Sequence, residues 1–389
     1  MSSELIQANW NYPTAIRVGA GRITELPDVC LQLGIRQPLL VTDPGLADLD
    51  MTRAAQKACN DAGLQCGIFS EIQGNPTGSN IEAGAAVFRN EGHDGVIAFG
   101  GGSAMDAGKA IALVAEQELP LFAFVDEGDN WTRANADKMA PVVAVPTTAG
   151  TGSEVGRASV ITEEERHLKR IIFHPNMLPE RVILDPELTV GLPSHITAAT
   201  GMDALSHNLE ALCAPFYHPM AEGIANEGIR LVQQFLPRAC ADGSDIEART
   251  QMLVASTMGA TAFQRGLGGM HALAHTLGGL YDAHHGLLNA ILMPYVLKAN
   301  EAAVTETLTR TSRYLDLQAP GFAAFLDWVL AMREQLGIPD ALAAIAIPDS
   351  EADRIGQLAV LDAAAGGNPV ELSAQQYRKI FINALEGCL

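Results

Sequence analysis

The stretch GVIAFGGGSAMDAGKAIALV, residues 95–114, carries the clearest information about the fold. An apolar run ends in three glycines, Gly100, Gly101 and Gly102, and an Ala-rich helical pattern follows. Glycine lets a backbone approach a pyrophosphate closely, and the N-terminus of a helix offers it N–H groups and a positive dipole end. We therefore predict a strand, a phosphate-binding turn and a helix with Ser103 as its N-cap. Because the spacing is not G-x-G-x-x-G, a plain tight turn is the alternative.

Apolar runs and helical patterns alternate on both sides of this stretch, up to about residue 190. The further runs are PLLVTD (38–43), APVVAVPTTAG (140–150) and RVILDPE (181–187), and helical patterns occupy residues 50–63 and 78–92. Such alternation predicts parallel strands joined by helices. Beyond the segment that starts at Leu192, Ala- and Leu-rich helical patterns continue to the C-terminus. The sequence thus predicts an α/β dinucleotide-binding domain, residues 1–192, and an all-α domain, residues 193–389.

Polar side chains follow two other predicted strands, where open α/β sheets bind their ligands. Asp43 ends the run of residues 38–43, and an acid there can hold the hydroxyls of an adenosine ribose. The hydroxyl-bearing residues after the strand near residue 145 are Thr147, Thr148, Thr151 and Ser153. Hydroxyls also stabilise turns, and Asp before Pro-Gly commonly opens one. Three such strand ends in order favour a dinucleotide site.

The composition favours a core-rich enzyme with a small-molecule ligand. The chain has 389 residues, of which 48% are hydrophobic and 18% charged, and this length suggests two domains. Its formal net charge is -20. Binding to nucleic acid or to an anionic membrane requires basic patches, so we expect neither as a partner.

The sequence also indicates a cytoplasmic protein. Residues 1–25 lack the basic and apolar regions of a signal peptide, and no apolar run is long enough to cross a bilayer. The six cysteines include no C-x-x-C pair. We therefore expect free thiols, and neither a disulfide framework nor a thiolate metal site.

Two predicted helices of the second half carry side chains at metal-ligand spacing. Asp203 and His207 lie four residues apart, hence on one face of the first helix. His271 and His275 repeat that spacing in GLGGMHALAHTLGGLYDAHHG, residues 266–286. A lone histidine usually fills a core or surface position, but a carboxylate with several imidazoles suits Fe(II), Zn(II), Ni(II) or Co(II).

The same stretch ends in a His-His-Gly sequence. The Gly-Gly and Asp residues before it predict that the helix ends there. The chain then turns back towards the helix at His284 and His285. Spacing alone leaves open which of the clustered histidines bind a metal, which move protons and which only fill space.

At this point the sequence resembles the iron-containing (group III) alcohol dehydrogenase family over essentially its whole length. The segments that carry the resemblance are GGGSAMDAGKA (100–110), PTTAGTGSEV (146–155), ILDPELTVGLPSHITAATGMDALSHNLEA (183–211) and GLGGMHALAHTLGGLYDAHHGLLNAILMPYVL (266–297). The resemblance implies a fold similar to that of dehydroquinate synthase, with an α/β dinucleotide-binding domain and an all-helical domain. It also implies that metal and nicotinamide meet in the cleft between the domains.

The resemblance gives each matched position a role. Asp203, His207, His271 and His285 match the family's four metal ligands. His275 matches the histidine beside the nicotinamide, which is not a ligand and can relay the alcohol proton. The positions that match cofactor contacts are Asp43, Asn75, Gly101, Gly102, Ser103, Asp106, Thr147, Thr148, Thr151 and Lys169.

Two positions depart from the family pattern. Where many members have Pro or a small residue before the last ligand, this chain has His284. Because Gly286 follows His285, we assign the ligand to His285 and a neighbouring or surface position to His284. Arg265 stands where many relatives carry a neutral residue. It either packs against a helix end or pairs with an acid, or it presents a cation to an acidic group at the far end of an aldehyde substrate.

The implied activity is hydride transfer between a primary alcohol, or its aldehyde, and NAD. A bound cation, Fe²⁺ or alternatively Zn²⁺, would polarise the alcohol oxygen, while the protein supplies geometry and a proton route. Two other functions compete: a lyase of the dehydroquinate synthase type that uses NAD transiently, and a nucleotide-binding scaffold without catalysis. The resemblance further implies a homodimer or larger homo-oligomer.

Overall fold

The structure, a computed structural model, describes Tyr12, residues 14–166 and residues 168–389. The chain divides into an α/β unit that ends at Gly191 and a helical unit that consists of Leu192–Leu389 together with Tyr12. This division falls next to the predicted boundary between residues 192 and 193. The prediction that residues 1–25 contain no signal peptide depends partly on residues 1–11 and 13, which lie outside the described residues.

The α/β unit contains a six-stranded, fully parallel sheet in the order β1-β8-β5-β4-β2-β3. Its strands are β1 (Ala15–Val18), β2 (Pro38–Val41), β3 (Gly67–Phe69), β4 (Gly95–Gly100), β5 (Val142–Pro146) and β8 (Arg181–Leu184), and a separate antiparallel pair is formed by β6 (Ala158–Glu163) and β7 (Leu168–Phe173). The helices of this unit are α1 (Leu26–Gln32), α2 (Pro44–Ala47), α3 (Asp50–Asp61), α4 (Gly78–Glu91) and α5 (Gly102–Val114).

The central strands are continuous apolar runs because helices cover the sheet. Every residue of β2, β4 and β5 is buried. Strands of parallel sheets are apolar along their whole length for this reason, and each fully buried Val, Leu or Ile contributes about 1.5–3 kcal/mol. Helix α5 packs directly on β4, so the predicted strand, turn and helix of residues 95–114 are confirmed.

The predicted cap of α5 is wrong in one detail. The N-cap is Gly101, and Ser103 lies inside the first turn, where its hydroxyl donates a hydrogen bond to the carbonyl of Gly74.

The antiparallel pair β6–β7 is a second difference, since sequence analysis did not identify it. Its strands contain charged side chains such as Lys169 and Arg170 and lack the apolar runs by which the central strands were identified.

The helical unit contains the long helix α6, which is buried along most of its length. Its helices are α6 (Ser194–Cys213), α7 (Pro219–Ala241), α8 (Ile246–Ala262), α9 (Gly269–Tyr281), α10 (His285–Ala299), α11 (Glu301–Tyr314), α12 (Phe322–Gln335), α13 (Ala352–Leu361) and α14 (Ala374–Glu386). Helices α7, α8 and α10 pack against α6, which places it at the centre of the unit. The predicted fold class, an α/β domain followed by an all-helical domain, is therefore confirmed.

The predicted break between the two histidine-bearing helices is present. Helix α9 ends at Tyr281, and Asp282 adopts a left-handed conformation with φ of 51°. Helix α10 then starts at His285, with His284 as its N-cap. Throughout the part of the chain that the structure describes, the helices are too short or too polar to cross a membrane.

Candidate functional site

Three helices of the helical unit bring one carboxylate and three imidazoles together. Asp203 and His207 come from α6, His271 from α9 and His285 from the first position of α10. One ligand atom of each residue lies within 4.8 Å of the corresponding atoms of the other three. The first three side chains are buried and His285 is half-buried. The structure thus groups the four side chains whose spacing and family resemblance indicated metal ligands.

Close helix packing brings His285 to α6. A Cβ on Gly286 would lie 2.5 Å from the carbonyl oxygen of Ala199 and 3.1 Å from the Cβ of Asp203. Only glycine allows this approach, because the obstacle is a backbone oxygen of a buried helix that cannot move aside. The glycine after the last histidine is therefore a requirement of the site's geometry.

The protonation states of two ligands suit a divalent cation. Burial raises the pKa of Asp203, but the facing imidazoles of His207, His285 and His271 outweigh it and lower the pKa to about 2. Burial, followed by the neighbouring His207, lowers the pKa of His271 well below its ordinary value. An ionised carboxylate beside a neutral imidazole is the state in which both bind a metal.

Glu210, one turn beyond His207 on α6, holds the start of α9. Its carboxylate accepts hydrogen bonds from the backbone N–H groups of Gly268 and Met270, both at 2.7 Å, and from Nδ1 of His271, also at 2.7 Å. Burial raises the pKa of Glu210 to about 7, against the lowering effect of the backbone N–H groups. The side chain therefore connects a predicted ligand to the N-terminus of its helix.

Asn289, one turn beyond His285 on α10, contacts three of the four predicted ligands. Its Nδ2 donates to Oδ1 of Asp203 at 2.8 Å and lies 3.2 Å from Nε2 of His271 and 3.1 Å from Nε2 of His285. The Nε2 atoms of both histidines consequently face the centre of the group.

His275 lies beside the group with a carboxylate partner of its own. Its Nδ1 is 3.1 and 3.2 Å from the two carboxylate oxygens of Asp362, which follows α13. Burial raises the pKa of Asp362, but the charge and hydrogen bond of His275 outweigh it, and the pKa is lowered. The ring of His275 stacks on that of His285 with centroids 5.4 Å apart. The structure thus places His275 next to the predicted ligands, but outside their group.

His284 and Arg265, the two departures from the family pattern, have local roles. His284 is exposed and caps α10 by accepting the N–H of Leu287 at its Nδ1. Arg265 donates to the carbonyls at the end of α6 and just after it, those of Ala211, Leu212 and Phe216.

The guanidinium of Arg265 is further occupied by an ion pair with Glu222 at 2.8 Å. Both parts of the first alternative, packing against a helix end and pairing with an acid, are therefore present. The geometry favours that alternative over a cation directed at substrate, because the donors of Arg265 already have partners.

The predicted nucleotide contacts of the α/β unit follow three neighbouring strands. Because β5, β4 and β2 are adjacent and parallel, the segments after them meet at one edge of the sheet. The N-cap of α5, Gly101, has no side chain to occupy the N–H groups of the first turn. A Cβ on Gly102 would lie 2.6 Å from Cγ2 of Thr151. The glycine turn and the threonine loop thus form one surface that can accommodate a phosphate.

Asp106 and the buried Lys109 connect helix α5 to the segment of residues 153–160 through hydrogen bonds. The carboxylate of Asp106 accepts from the Ser153 hydroxyl at 2.5 Å and from the Val160 N–H at 2.9 Å. Nζ of Lys109 donates to the Ser153 carbonyl at 3.0 Å, to its hydroxyl at 2.6 Å and to the Ala158 carbonyl. Both oxygens of Asp106 thus have protein donors, which favours an indirect role for the residue.

The remaining predicted contacts lie elsewhere in the same unit: Asp43 before α2, Asn75 before α4 and Lys169 within β7. Nζ of Lys169 donates to Oδ1 of Asn75 at 2.8 Å. Oδ1 of Asp43 caps α2 by accepting the N–H of Leu46 at 3.1 Å. The other oxygen of Asp43 faces the glycine turn, 3.6 Å from where a Cβ on Gly100 would lie.

Models of one protein family match nearly the whole chain. Residues 13–186 match the model of iron-containing alcohol dehydrogenase, and residues 197–385 match that of the C-terminal domain of the Fe-containing alcohol dehydrogenase family. The chain belongs to the iron-containing alcohol dehydrogenase family. It is accordingly an oxidoreductase that acts on alcohols, and neither the lyase nor the scaffold alternative is favoured.

Three individual dehydrogenases and reductases resemble the chain over nearly its full length. A 4-hydroxybutyrate dehydrogenase of Cupriavidus necator is 40% identical over 95% of this chain and 97% of its own. A crystal structure of a 1,3-propanediol oxidoreductase superposes with a TM-score of 0.93 at 34% identity, covering 98% and 100% of the two chains. A sulfoacetaldehyde reductase of Bifidobacterium kashiwanohense in complex with NAD⁺ gives 0.89 at 27% identity, covering 97% and 99%.

Sequence reasoning missed four residues that hold these sites in this member of the iron-containing alcohol dehydrogenases: Lys109, Glu210, Asn289 and Asp362. Helical periodicity could have nominated two of them. Glu210 lies three positions after His207, and Asn289 four positions after His285, so each shares a helix face with a predicted ligand. No local pattern points to Asp362, whose partner lies 87 positions away.

Proposed function

We propose that this alcohol dehydrogenase depends on NAD and on Fe²⁺ bound by Asp203, His207, His271 and His285. The observation that carries the proposal is the grouping of these four ligand atoms within 4.8 Å. The donor set fits the ion, since three neutral imidazoles and one carboxylate suit a borderline divalent metal. The same donors suit Zn²⁺, so the identity of the metal is an outcome of the test.

The helical unit supplies both the metal ligands and a proton carrier. When bound, the metal lowers the pKa of an alcohol and polarises an aldehyde carbonyl. His275 takes the alcohol proton. Because the carboxylate of Asp362 only accepts hydrogen bonds, Nδ1 of His275 carries a proton and Nε2 retains the lone pair that can receive another.

The α/β unit binds NAD, which accepts the hydride. The turn of Gly101 and Gly102 and the first turn of α5, which includes Ser103, hold the pyrophosphate. The other proposed contacts are Asp43, Asn75, Asp106, Thr147, Thr148, Thr151 and Lys169. Among them, Asp106 acts by positioning the loop that contains Ser153.

The proposed substrate is a short primary alcohol, or its aldehyde, with a second polar group at the far end. The names of the relatives that act on 4-hydroxybutyrate and 1,3-propanediol support this substrate class. Arg265 is not part of the proposal, because its donors serve the end of α6. Six free cysteines support a reducing compartment, the cytoplasm, as the place of action. A homodimer or larger homo-oligomer stays a prediction.

The experiment that tests the proposed function measures metal content and hydride transfer together. The full chain, stripped with a chelator and reloaded with Fe²⁺ or Zn²⁺, is assayed for NADH formation from 1-butanol, 1,3-propanediol and 4-hydroxybutyrate. We expect about one metal per chain and turnover that is lost on stripping and restored on reloading. A chain that reduces NAD equally well without metal would contradict the proposal.

A further inference from the structure

Helix α9 carries two histidines one turn apart, and each has a carboxylate at Nδ1. His271 faces Glu210 at 2.7 Å, and both side chains are buried, at 1% and 5% exposure. His275 faces Asp362 at 3.1 Å, and both are one-fifth exposed. Only His271 belongs to the group of four predicted ligands. The two pairs therefore offer a comparison between a predicted ligand and its neighbour on the same helix.

Glu210 is placed to decide which nitrogen of His271 is available. Its Oε2 accepts from the Gly268 N–H and its Oε1 from the Met270 N–H, so both oxygens already act as acceptors. The amide nitrogen Nδ2 of Asn289 can only donate, so Nε2 of His271, 3.2 Å away, is the acceptor, and Nδ1 carries the proton that it donates to Glu210. That leaves Nε2 with its lone pair, directed at the centre of the group as the contact with Asn289 indicates.

The same contacts fix the position of His271 as well as its tautomer. Gly268, the N-cap of α9, has no side chain, so the carboxylate of Glu210 supplies the cap from another helix. On α6, Glu210 follows Asp203 and His207 at spacings of seven and three residues, which puts all three on one face. One helix face thus provides two predicted ligands and holds the third.

We infer that Glu210 is a positioning residue of the metal centre, whose carboxylate holds His271 with Nε2 directed at the metal and thereby determines metal affinity. The inference rests on the proposed metal site and goes beyond its four ligands. Carboxylates that fix ligating histidines in this way typically change metal affinity 10- to 100-fold when they are altered.

The test compares metal affinity in two matched variants of the full chain. Stripped wild type, Glu210→Gln and Asp362→Asn are titrated with Zn²⁺ in competition with a chromophoric chelator. We expect about 10- to 100-fold weaker binding for Glu210→Gln. Asp362→Asn, the same chemical change at the histidine outside the group, should bind within about twofold of wild type. If Glu210→Gln bound Zn²⁺ as tightly as wild type, the inference would be wrong.

A double-mutant cycle separates positioning of His271 from general support of the fold. If Glu210 acts through His271, the Glu210→Gln change should cause no further loss of Zn²⁺ affinity in a His271→Ala background. An equal further loss in that background would overturn the inference. It would assign Glu210 to the integrity of α9 alone.

Wild-type protein labelled with ¹⁵N-histidine tests the tautomer even if Glu210→Gln fails to fold. We expect His271 to keep its proton on Nδ1 with and without Zn²⁺, while the Nε2 resonance shifts when the metal is added. A proton on Nε2, or a shift confined to Nδ1, would overturn the inference. Absence of Zn²⁺ binding by wild type would instead contradict the proposed function, so the two failures are distinguishable.

Discussion

The two candidate sites of this chain are built from different parts of the polypeptide. In the α/β unit, the phosphate surface consists of a glycine turn, a helix N-terminus and loops after adjacent strands. In the helical unit, the metal group consists of four side chains from three helices. The former uses backbone N–H groups that any main chain offers, whereas the latter depends on the identity of each side chain.

This difference predicts how each site responds to substitution. A single changed ligand alters the donor set of a metal, but a single changed loop residue leaves most backbone donors of a phosphate site in place. We therefore expect the largest losses in the helical unit. In the α/β unit, the largest loss of NAD affinity should follow from substitution of a buried residue that hydrogen-bonds the nucleotide loops.

The largest expected effect follows from removing His285. Its imidazole belongs to the group, whereas the adjacent and exposed His284 only caps α10. His285→Ala should lower metal affinity and kcat/KM by more than about 100-fold, beyond the loss typical of a residue that merely orients a ligand. Metal analysis and NADH formation measure the two effects.

His284→Ala is the matched control, since it changes the same residue type one position earlier. It should keep the metal and stay within about twofold of wild-type kcat/KM, because an exposed cap contributes only to helix stability. Loss of metal in His284→Ala with retention in His285→Ala would reverse the assignment.

A smaller effect is expected at Lys109, the buried side chain beneath the nucleotide loops. Lys109→Met keeps the length of the side chain but removes its hydrogen bonds to Ser153 and Ala158. Hydrogen bonds of charged groups contribute about 1.5–3 kcal/mol, so the free energy of unfolding should fall by that order. The KM for NAD should rise about 10-fold, which corresponds to about 1.4 kcal/mol.

The control for Lys109 is Lys57→Met on the surface of α3, where Lys57 pairs with Asp61 and is 73% exposed. Its change in unfolding free energy should stay within about 0.5 kcal/mol. Metal affinity should be unchanged in both variants. If Lys109→Met lowered metal affinity as much as it raised the KM for NAD, the two sites would not be separable in this way.

The fold could be predicted because its information is local. Residues 95–114 contain a buried strand, a turn and a helix in sequence order, and α6 follows from an uninterrupted helical pattern. The β6–β7 pair escaped prediction because its strands are only partly buried and carry charged residues in place of a continuous apolar run. Local periodicity predicts elements with one continuous apolar face well and small, partly exposed hairpins poorly.

The candidate metal group could be nominated because its ligands are chemically distinctive and regularly spaced. The residues that position these ligands could not be predicted in the same way. Glu210 meets His271 across 61 positions, and its type is common on helices. An ordinary glutamate acquires its role only when burial and three N–H donors surround it. Those circumstances arise from the packing of α6 against α9's N-terminus, which no sequence pattern encodes.

The last expected effect concerns cofactor choice at Asp43 and leaves stability unchanged. Asp43→Asn removes a negative charge but keeps a side-chain oxygen that can cap α2 through the N–H of Leu46. The negative charge of Asp43 repels a 2′-phosphate. Because the substitution removes that charge, we expect kcat/KM with NADP to rise about 10-fold relative to that with NAD. Thermal stability should stay close to that of wild type, since asparagine is as good an N-cap as aspartate.

Asp48→Asn at the end of α2 is the control, because it removes one charge five residues away, where Asp48 pairs with Arg53. It should leave the preference between NAD and NADP unchanged. If both variants shifted the preference equally, the effect would come from net charge and not from the strand end. If neither did, Asp43 would serve only as the cap of α2, and recognition of the adenosine ribose would have to come from another residue of the sheet edge.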